Sequence, residues 1–485
     1  MMLKLKEITK KLWVSPTATT WLNNFVRVLK SVCVIPLVVT LLSTDEISAY
    51  YIFNTFLAIS LIFTQSLSTT YTRAFSYAWA GASSFSEVRD TENIPNKTFF
   101  NESYTISLVL QKHVTFIIIA LNVCFGSVVL FNKYSFSLAN CRDIWLSWLC
   151  ILLTIGCAIW NSRNQSVLRG VNQVARMNRW SALFDFIPIA LMVLALTFGF
   201  GLVGCSFAIL IGAVVALFRS HILVHTSPAK FLLEENKSYK KTTYKDILSS
   251  TYKHAAMAAS ARGVNYSAGL IATFFIAEQD LASYLQAISF IILVNTFSLA
   301  PFSSKVPMFN MLRAKGDLKE LADKAGRAMK ISLLVFGVMC CMIPPVVQVL
   351  YEVIDSNVSF VSWEIWLSLA IVWFLERHQG NHASLVITTN KIPFVSHQVI
   401  TGLAKLLLML ILGKYWGVFG IIAAHGLSNL ICMNWITTYL AVKSLSVNYK
   451  SCLSRYVLSA ISIFIFMILW IPNSYRISEI IISEF

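Results

Sequence analysis

The chain has 485 residues, of which 56% are hydrophobic and only 13% charged, and its mean hydropathy is +0.67. A water-soluble protein of this length cannot bury so much apolar surface, so these residues are matched to lipid. The formal net charge of +16 would suit a polyanion partner, but its distribution among the loops excludes nucleic acid, as described below.

Taken in order, the chain opens with Leu3-Lys4-Leu5-Lys6-Glu7-Ile8-Thr9-Lys10-Lys11-Leu12-Trp13, which reads as an amphipathic helix lying on the bilayer surface within a cytoplasmic segment 1–20. The apolar run behind it is therefore a span and not a cleaved signal. Twelve spans are predicted near 21–43, 47–69, 112–131, 144–168, 181–199, 203–224, 254–276, 281–302, 330–351, 364–389, 394–413 and 417–440. They form two six-helix bundles, 21–224 and 254–440, joined by a cytoplasmic linker 225–253 that contains Pro228 and the basic run Lys237 to Lys245. The tail 441–485 holds a thirteenth candidate, 456–472, which is short and meets Pro472. Segment 309–329 has helical apolar spacing (Phe309, Leu312, Leu318, Leu321, Ala325) and reads as an interfacial connector. No stretch is long or polar enough to form a soluble catalytic or ATP-hydrolysing domain, so the expected class is all-α integral membrane.

With the N-terminus in the cytoplasm, most of the 39 Lys and Arg residues fall in loops on that side, above all Arg219 to Lys253 and Lys305 to Lys330. The opposite loops hold Lys133, Arg142, Lys414 and Arg476 among acidic residues such as Asp45, Glu46, Glu278, Asp280, Glu352 and Asp355. This is the positive-inside pattern of a multi-pass membrane protein. The ten cysteines sit mostly in apolar runs and read as small hydrophobes without a metal or disulfide spacing.

The two halves also echo each other. Asp143-Ile144-Trp145-Leu146-Ser147 is answered by Glu364-Ile365-Trp366-Leu367-Ser368, and Ser166-Val167-Leu168-Arg169-Gly170-Val171-Asn172 by Ser384-Leu385-Val386-Ile387-Thr388-Thr389-Asn390. Gly201-Leu202-Val203-Gly204 is answered by Gly417-Val418-Phe419-Gly420, and Arg27 before Glu46 and Tyr50 by Arg262 before Asp280 and Tyr284. Four echoes in one order predict two parallel structural repeats with a site between them.

Basic residues stand out on the apolar background of predicted spans at Arg27, Lys30, Arg262 and Lys405. A charge at membrane depth costs roughly 2.5–3.5 kcal/mol, so each needs a partner, water or a function. Asn23, Arg27, Lys30 and Ser31 share one helix face; Arg262, Asn265, Tyr266 and Gly269 repeat the arrangement, and His397, Thr401 and Lys405 form a third stripe. Three polar stripes bearing only positive charge predict a water-filled cationic cavity, with snorkelling of Arg27 or Lys30 to the headgroups as the alternative. Asp185, before Pro188, is either a proton or sodium coupling site or the counter-ion of one cavity arginine. The polar runs Asn161 to Ser166 and Glu376 to His382 interrupt their spans; Arg377, His378, His425 and Asn429 are expected to line the cavity. His378/His382 and His221/His225 are spaced i, i+4, but neither lies in a zinc-protease pattern, so no metal site is expected. No phosphate-binding G-x-x-x-x-G-K-[ST] loop and no G-x-S-x-G elbow is present, and no catalytic residue is assigned.

The opening helix with Arg27 and Lys30, the run Leu42-Ser43-Thr44-Asp45-Glu46-Ile47-Ser48-Ala49-Tyr50, the Leu168-Arg169-Gly170-Val171-Asn172-Gln173 turn and the paired Gly-x-x-Gly starts together resemble the O-antigen or polysaccharide flippases (Wzx-type) of the polysaccharide transporter family. That family belongs to the MOP superfamily, with the MATE multidrug exporters and the lipid II flippase. The resemblance covers about 1–445 and implies twelve or fourteen helices in two pseudo-symmetric six-helix bundles; 456–472 fits neither count. It implies alternating-access transfer of an undecaprenyl-diphosphate-linked oligosaccharide from the inner to the outer leaflet, in O-antigen or lipopolysaccharide biosynthesis. It also implies no cofactor beyond H+ or Na+ coupling, membrane lipids as surroundings, and a polysaccharide polymerase or chain-length machinery as a further partner. Arginine forks match phosphate oxygens, and Asn, Ser, Tyr, Trp and His suit sugar hydroxyls. The rival readings are a MATE-like multidrug or cation antiporter, which should carry buried carboxylates, and a membrane glycosyltransferase such as an O-antigen polymerase or ligase, which needs a large outer loop.

Overall fold

The computed structural model describes residues 13–85, 94–134, 141–233, 239–272, 275–276, 278–353, 359–445 and 458–483; the side chains of 261–270, 278–282 and a few other helical positions, Ser31 among them, lie outside that description. The amphipathic start up to Leu12 and the side chains of Arg262, Asn265, Tyr266, Glu278 and Asp280 are therefore outside the described residues. The described residues form helices and turns only, in two compact units, Met1–Ala255 and Ala256–Phe485.

The first unit contains α1 (Pro16–Leu41), α2 (Thr44–Trp79), α3 (Lys97–Leu121) continued through a π turn at Asn122–Gly126 into α4 (Ser127–Tyr134), α5 (Cys141–Gly170), α6 (Val174–Phe184), α7 (Phe186–Thr197) and α8 (Gly201–His225). Helix α9 (Lys241–Ala272) carries the chain into the second unit, followed by α10 (Glu278–Ser303), α11 (Val306–Ala314), α12 (Leu318–Val353), α13 (Trp363–Ile387), α14 (Val395–Ser428), a π turn at Asn429–Met433, α15 (Asn434–Leu445) and α16 (Leu458–Ser483). Nine helices among the described residues are long and apolar enough to cross a membrane. Helix α13 is not one of them, because the polar run Glu376 to His382 lowers the hydropathy of a helix only 25 residues long. Large apolar side chains such as Phe116, Phe125, Phe218, Leu407 and Trp435 face outward, as lipid-facing positions do.

Long helices form the packing centre of each unit. In the first, α5 lies against α2, α3 and α8, with Trp148 stacked on Phe53 at 5.6 Å over a core of Ile144, Ile151, Ile155 and Met192. In the second, α12 and α13 enclose Phe336, Cys340, Trp366 and Phe374. The Trp366 indole N–H donates to the Cys340 carbonyl at 2.9 Å, which satisfies a polar atom that hydrocarbon would leave bare.

The internal repeat is written in the backbone. Asn172 (φ 59°) and Asn390 (φ 61°), the last residues of the second echo, are the non-glycine residues with positive φ among those described. Asparagine tolerates this left-handed region and ends helices there. Gly201 (φ 56°) and Gly417 (φ 54°), which open the third echo, match in the same way. At Gly417 the chain turns between two helical stretches of α14, so the spans expected at 394–413 and 417–440 are separate passes.

Other elements depart from the reading by sequence. The expected linker 225–253 is structured where it is described: a 3-10 turn at Pro228–Leu232, then α9 from Lys241. Two buried charges draw its helical part onto the first unit, since Glu102 accepts from the Thr243 hydroxyl at 3.0 Å and Arg73 bonds the Ser250 hydroxyl. The connector 309–329 is two helices, not one, because the chain breaks at Gly316 (φ 77°) and Asp317 caps the amide of Glu320. Phe309, Leu312, Leu321 and Ala325 are buried, as their spacing requires. The span at 181–199 is interrupted at Asp185, between α6 and α7.

The thirteenth candidate continues past Pro472 to Ser483. Membrane helices tolerate proline, and the turns beyond it are anchored: the Tyr475 hydroxyl donates to the Val361 carbonyl at 2.9 Å, and Ser478 bonds Gln348. Earlier in α16, Ile463 and Met467 lie over Gly337 of α12, and Phe464 packs on Phe374 of α13.

Candidate functional site

The second unit contains a pocket of about 290 Å³. Helix α13 supplies its charged wall with Glu376 and Arg377, and Gln379 and Ser384 follow on the same helix. Helix α14 supplies Gln398, Thr401 and Lys405, spaced i, i+3 and i+7 on one face. Ser260 of α9, Asn295 of α10 and Asn429 of the π turn complete a lining rich in amides and hydroxyls. A π turn inserts one extra residue into a helix and re-aims the side chains around it.

Glu376 Oε2 lies 2.5 Å from His425 Nε2, a contact between α13 and α14. The Arg377 guanidinium donates to the Asn295 backbone carbonyl at 2.6 Å and to its side-chain oxygen. Its Nε has no hydrogen-bond partner among the described residues, nor has either side-chain polar atom of the buried Asn381. Lys405, 5% exposed, is close enough to Glu376 for the two charges to interact. The pocket thus combines two fixed cations, one carboxylate held by an imidazole, and neutral hydrogen-bonding groups, which suits a polar, negatively charged ligand.

Of the residues expected to bind or line a cavity, Lys405, Arg377 and Asn429 meet in this pocket, and His425 reaches it through Glu376. His397, placed in the same stripe as Lys405, is exposed; the register of the lining runs through Gln398, one residue on. His378 packs against His382 with ring centres 4.3 Å apart and is not among the lining residues. Among the described residues, no group of three His, Cys, Asp or Glu side chains is arranged to hold a metal.

The other candidates with described side chains lie in the first unit. Asp185 accepts a hydrogen bond from Arg219 at 3.1 Å, and Lys30 lies within Coulombic reach of the same carboxylate. Arg219 is not one of the arginines expected to face a cavity, so Asp185 has an ion-pair partner that neither of its two readings named. Arg27 is exposed and close enough to Arg169 for the like charges to interact, while Asn23 is buried. Buried Arg163 lies between the rings of Tyr104 and Trp160, 5.1 and 5.2 Å from their centres. Glu376 was visible in the sequence as part of a polar run but not as a site residue; its isolation as a carboxylate in mid-span was the available signal.

No protein-family profile matches the chain, and no curated protein is significantly similar to it in sequence. Solved structures do match. A MATE protein in its bent conformation aligns at TM-score 0.73 with 15% identity, over 91% of this chain and 97% of that one. A multidrug-resistance MATE family transporter of the MOP superfamily, in an outward-facing conformation, aligns at 0.71 with 15% identity, over 90% and 98%. A MOP superfamily transporter from Pyrococcus furiosus, described as having a binding pocket of reverse polarity, aligns at 0.72 with 13% identity, over 90% and 97%. The fold is therefore that of the MATE-like MOP proteins, on a multi-pass membrane chain. Helix α16 follows the twelve passes of that fold.

Proposed function

We propose that the chain is a secondary transporter that moves an undecaprenyl-diphosphate-linked oligosaccharide, an O-antigen or related repeat unit, from the inner to the outer leaflet of the bacterial cytoplasmic membrane by alternating access. The observation that carries this reading is the buried pair Lys405 and Arg377 in a pocket that also presents amides and hydroxyls beside the single carboxylate of Glu376. A diphosphate needs cations at membrane depth, and the sugars behind it need neutral donors and acceptors. Arg27, Lys30 and Arg262 add positive charge on spans one and seven. With the N-terminus in the cytoplasm, export of an anion also follows the membrane potential, which contributes about 2.3 kcal/mol per charge per 100 mV.

The test is Lys405→Ala, with Arg27→Ala and Arg262→Ala beside it, in the native host. Surface polysaccharide should fall at least about tenfold, the loss expected from one charge-assisted contact, while immunoblots show the protein still in the membrane. Undiminished polysaccharide in Lys405→Ala overturns the assignment.

Glu376 favours a second reading, a MATE-like cation or drug antiporter, because a carboxylate in a pocket suits a cationic ligand. A deletion strain that becomes sensitive to cationic drugs while keeping its polysaccharide would establish that reading in place of the first.

A further inference from the structure

A single carboxylate placed among the cations of a pocket has a thermodynamic consequence for any anion that enters. Among the described residues, the charged and titratable groups facing Glu376 are His425 and Lys405 from α14 and Arg377 beside it on α13. Helices α9 and α10 and the π turn present the uncharged Ser260, Asn295 and Asn429. Without ligand, the Glu376 carboxylate is the anion that these cations neutralise. A head group seated on Lys405 and Arg377 takes over that neutralisation and sets a second negative charge beside Glu376. Like charges in one site raise proton affinity.

We infer that the Glu376–His425 pair is a proton-binding site tied to the pocket, so that an anionic head group and a proton enter together. The inference rests on the reading of the pocket as an anion site. The proton comes from water on the side to which the pocket is open. It resides within the 2.5 Å contact, leaving either a neutral carboxyl beside a neutral imidazole or a carboxylate beside an imidazolium. No other bond changes. Linkage is reciprocal, so acid strengthens anion binding and base weakens it, by up to tenfold per pH unit for one linked proton. The sign matters: an anion and a proton that favour each other's binding travel in the same direction and are not exchanged.

The probe is farnesyl diphosphate, titrated into the full chain in lipid nanodiscs. Calorimetry near pH 7 in two buffers of different ionisation enthalpy counts the protons taken up per probe bound. Glu376→Gln keeps the shape of the side chain and cannot titrate, so its count contains only the protons that belong to the diphosphate itself and to other groups. The wild type should take up more protons than Glu376→Gln, by as much as one per probe; equal counts overturn the proposal. Should the variant fail to reach the membrane, an alkyl sulfate of constant charge gives a second readout on the wild type alone. Its affinity should fall as pH rises from about 6 to about 8, and a flat affinity overturns the linkage while leaving the anion site standing. A wild type that binds neither probe removes the anion site, and this inference with it.

Discussion

In the first unit Asp185, one-third exposed at the break between α6 and α7, is held by Arg219 at 3.1 Å. In the second unit Glu376 lies inside the unbroken α13, against His425 at 2.5 Å. The surrounding scaffold is matched: Asn172 with Asn390 and Gly201 with Gly417 agree in φ to within a few degrees. The repeat has kept its turns and changed its chemistry. Turn residues answer to backbone sterics, which are alike in both units, whereas a buried charge answers only to its own neighbours. A carboxylate at a helix break with an arginine behind it is an ordinary ion pair. One in mid-helix, facing a pocket with a titratable partner, is placed to respond to what the pocket holds.

The matched glycines give the largest expected effect. A Cβ at Gly420 would fall on the Leu412 backbone carbonyl, which has no room to yield, whereas at Gly204 it would meet the Cβ atoms of Phe200 and Ala195 at 2.6 and 2.8 Å. Gly420→Ala should cost about 3 kcal/mol or more and Gly204→Ala about 1 kcal/mol, read as the difference in melting temperature of the purified variants. Equal losses would mean that the two turns are as alike in packing as they are in φ. The next effect separates the carboxylates. A double-mutant cycle on Glu376 and His425 should give a coupling of about 2 kcal/mol, and one on Asp185 and Arg219 about 1 kcal/mol, because water screens the more exposed Asp185. A larger coupling for the Asp185 pair would reverse the ranking of the two sites.

Features that depend on nearby residues were legible in the sequence, and those that depend on distant partners were not. The long helices, the paired Gly-x-x-Gly starts and the turns at Asn172 and Asn390 rest on short-range signals, and each is present in the structure. Lys405 was legible because a lone cation in mid-span stands out from an apolar background. The contact of Glu376 with His425 joins residues on two different passes, and no spacing rule reaches across them. Arg219 reads as the first charge of a cytoplasmic loop until the fold brings α8 alongside Asp185. For α16, Pro472 suggested an end, and only the contacts of Tyr475 and Ser478 with the rest of the second unit show why the helix continues.

The smallest predicted effect concerns Glu46 of the first unit, which joins two helix starts outside the apolar spans. Its Oε2 accepts from the Ser43 amide at 3.0 Å and the Ser43 hydroxyl at 2.8 Å, and its Oε1 accepts from the Leu202 amide at 3.1 Å. Burial pushes its pKa up, but the bonds from Ser43 and Leu202 outweigh it, and the carboxyl titrates below its usual 4.5. A depressed carboxylate contributes stability that is complete above the unfolded-state value of about 4.3 and is lost as pH falls through the folded value. Glu46→Gln should therefore melt about 1–2 °C below the parent at neutral pH, and the gap should close as the medium is acidified below about pH 4. A gap that stays constant with pH would assign the role of Glu46 to its shape, and the helix starts at Ser43 and Leu202 would then be joined without help from its charge.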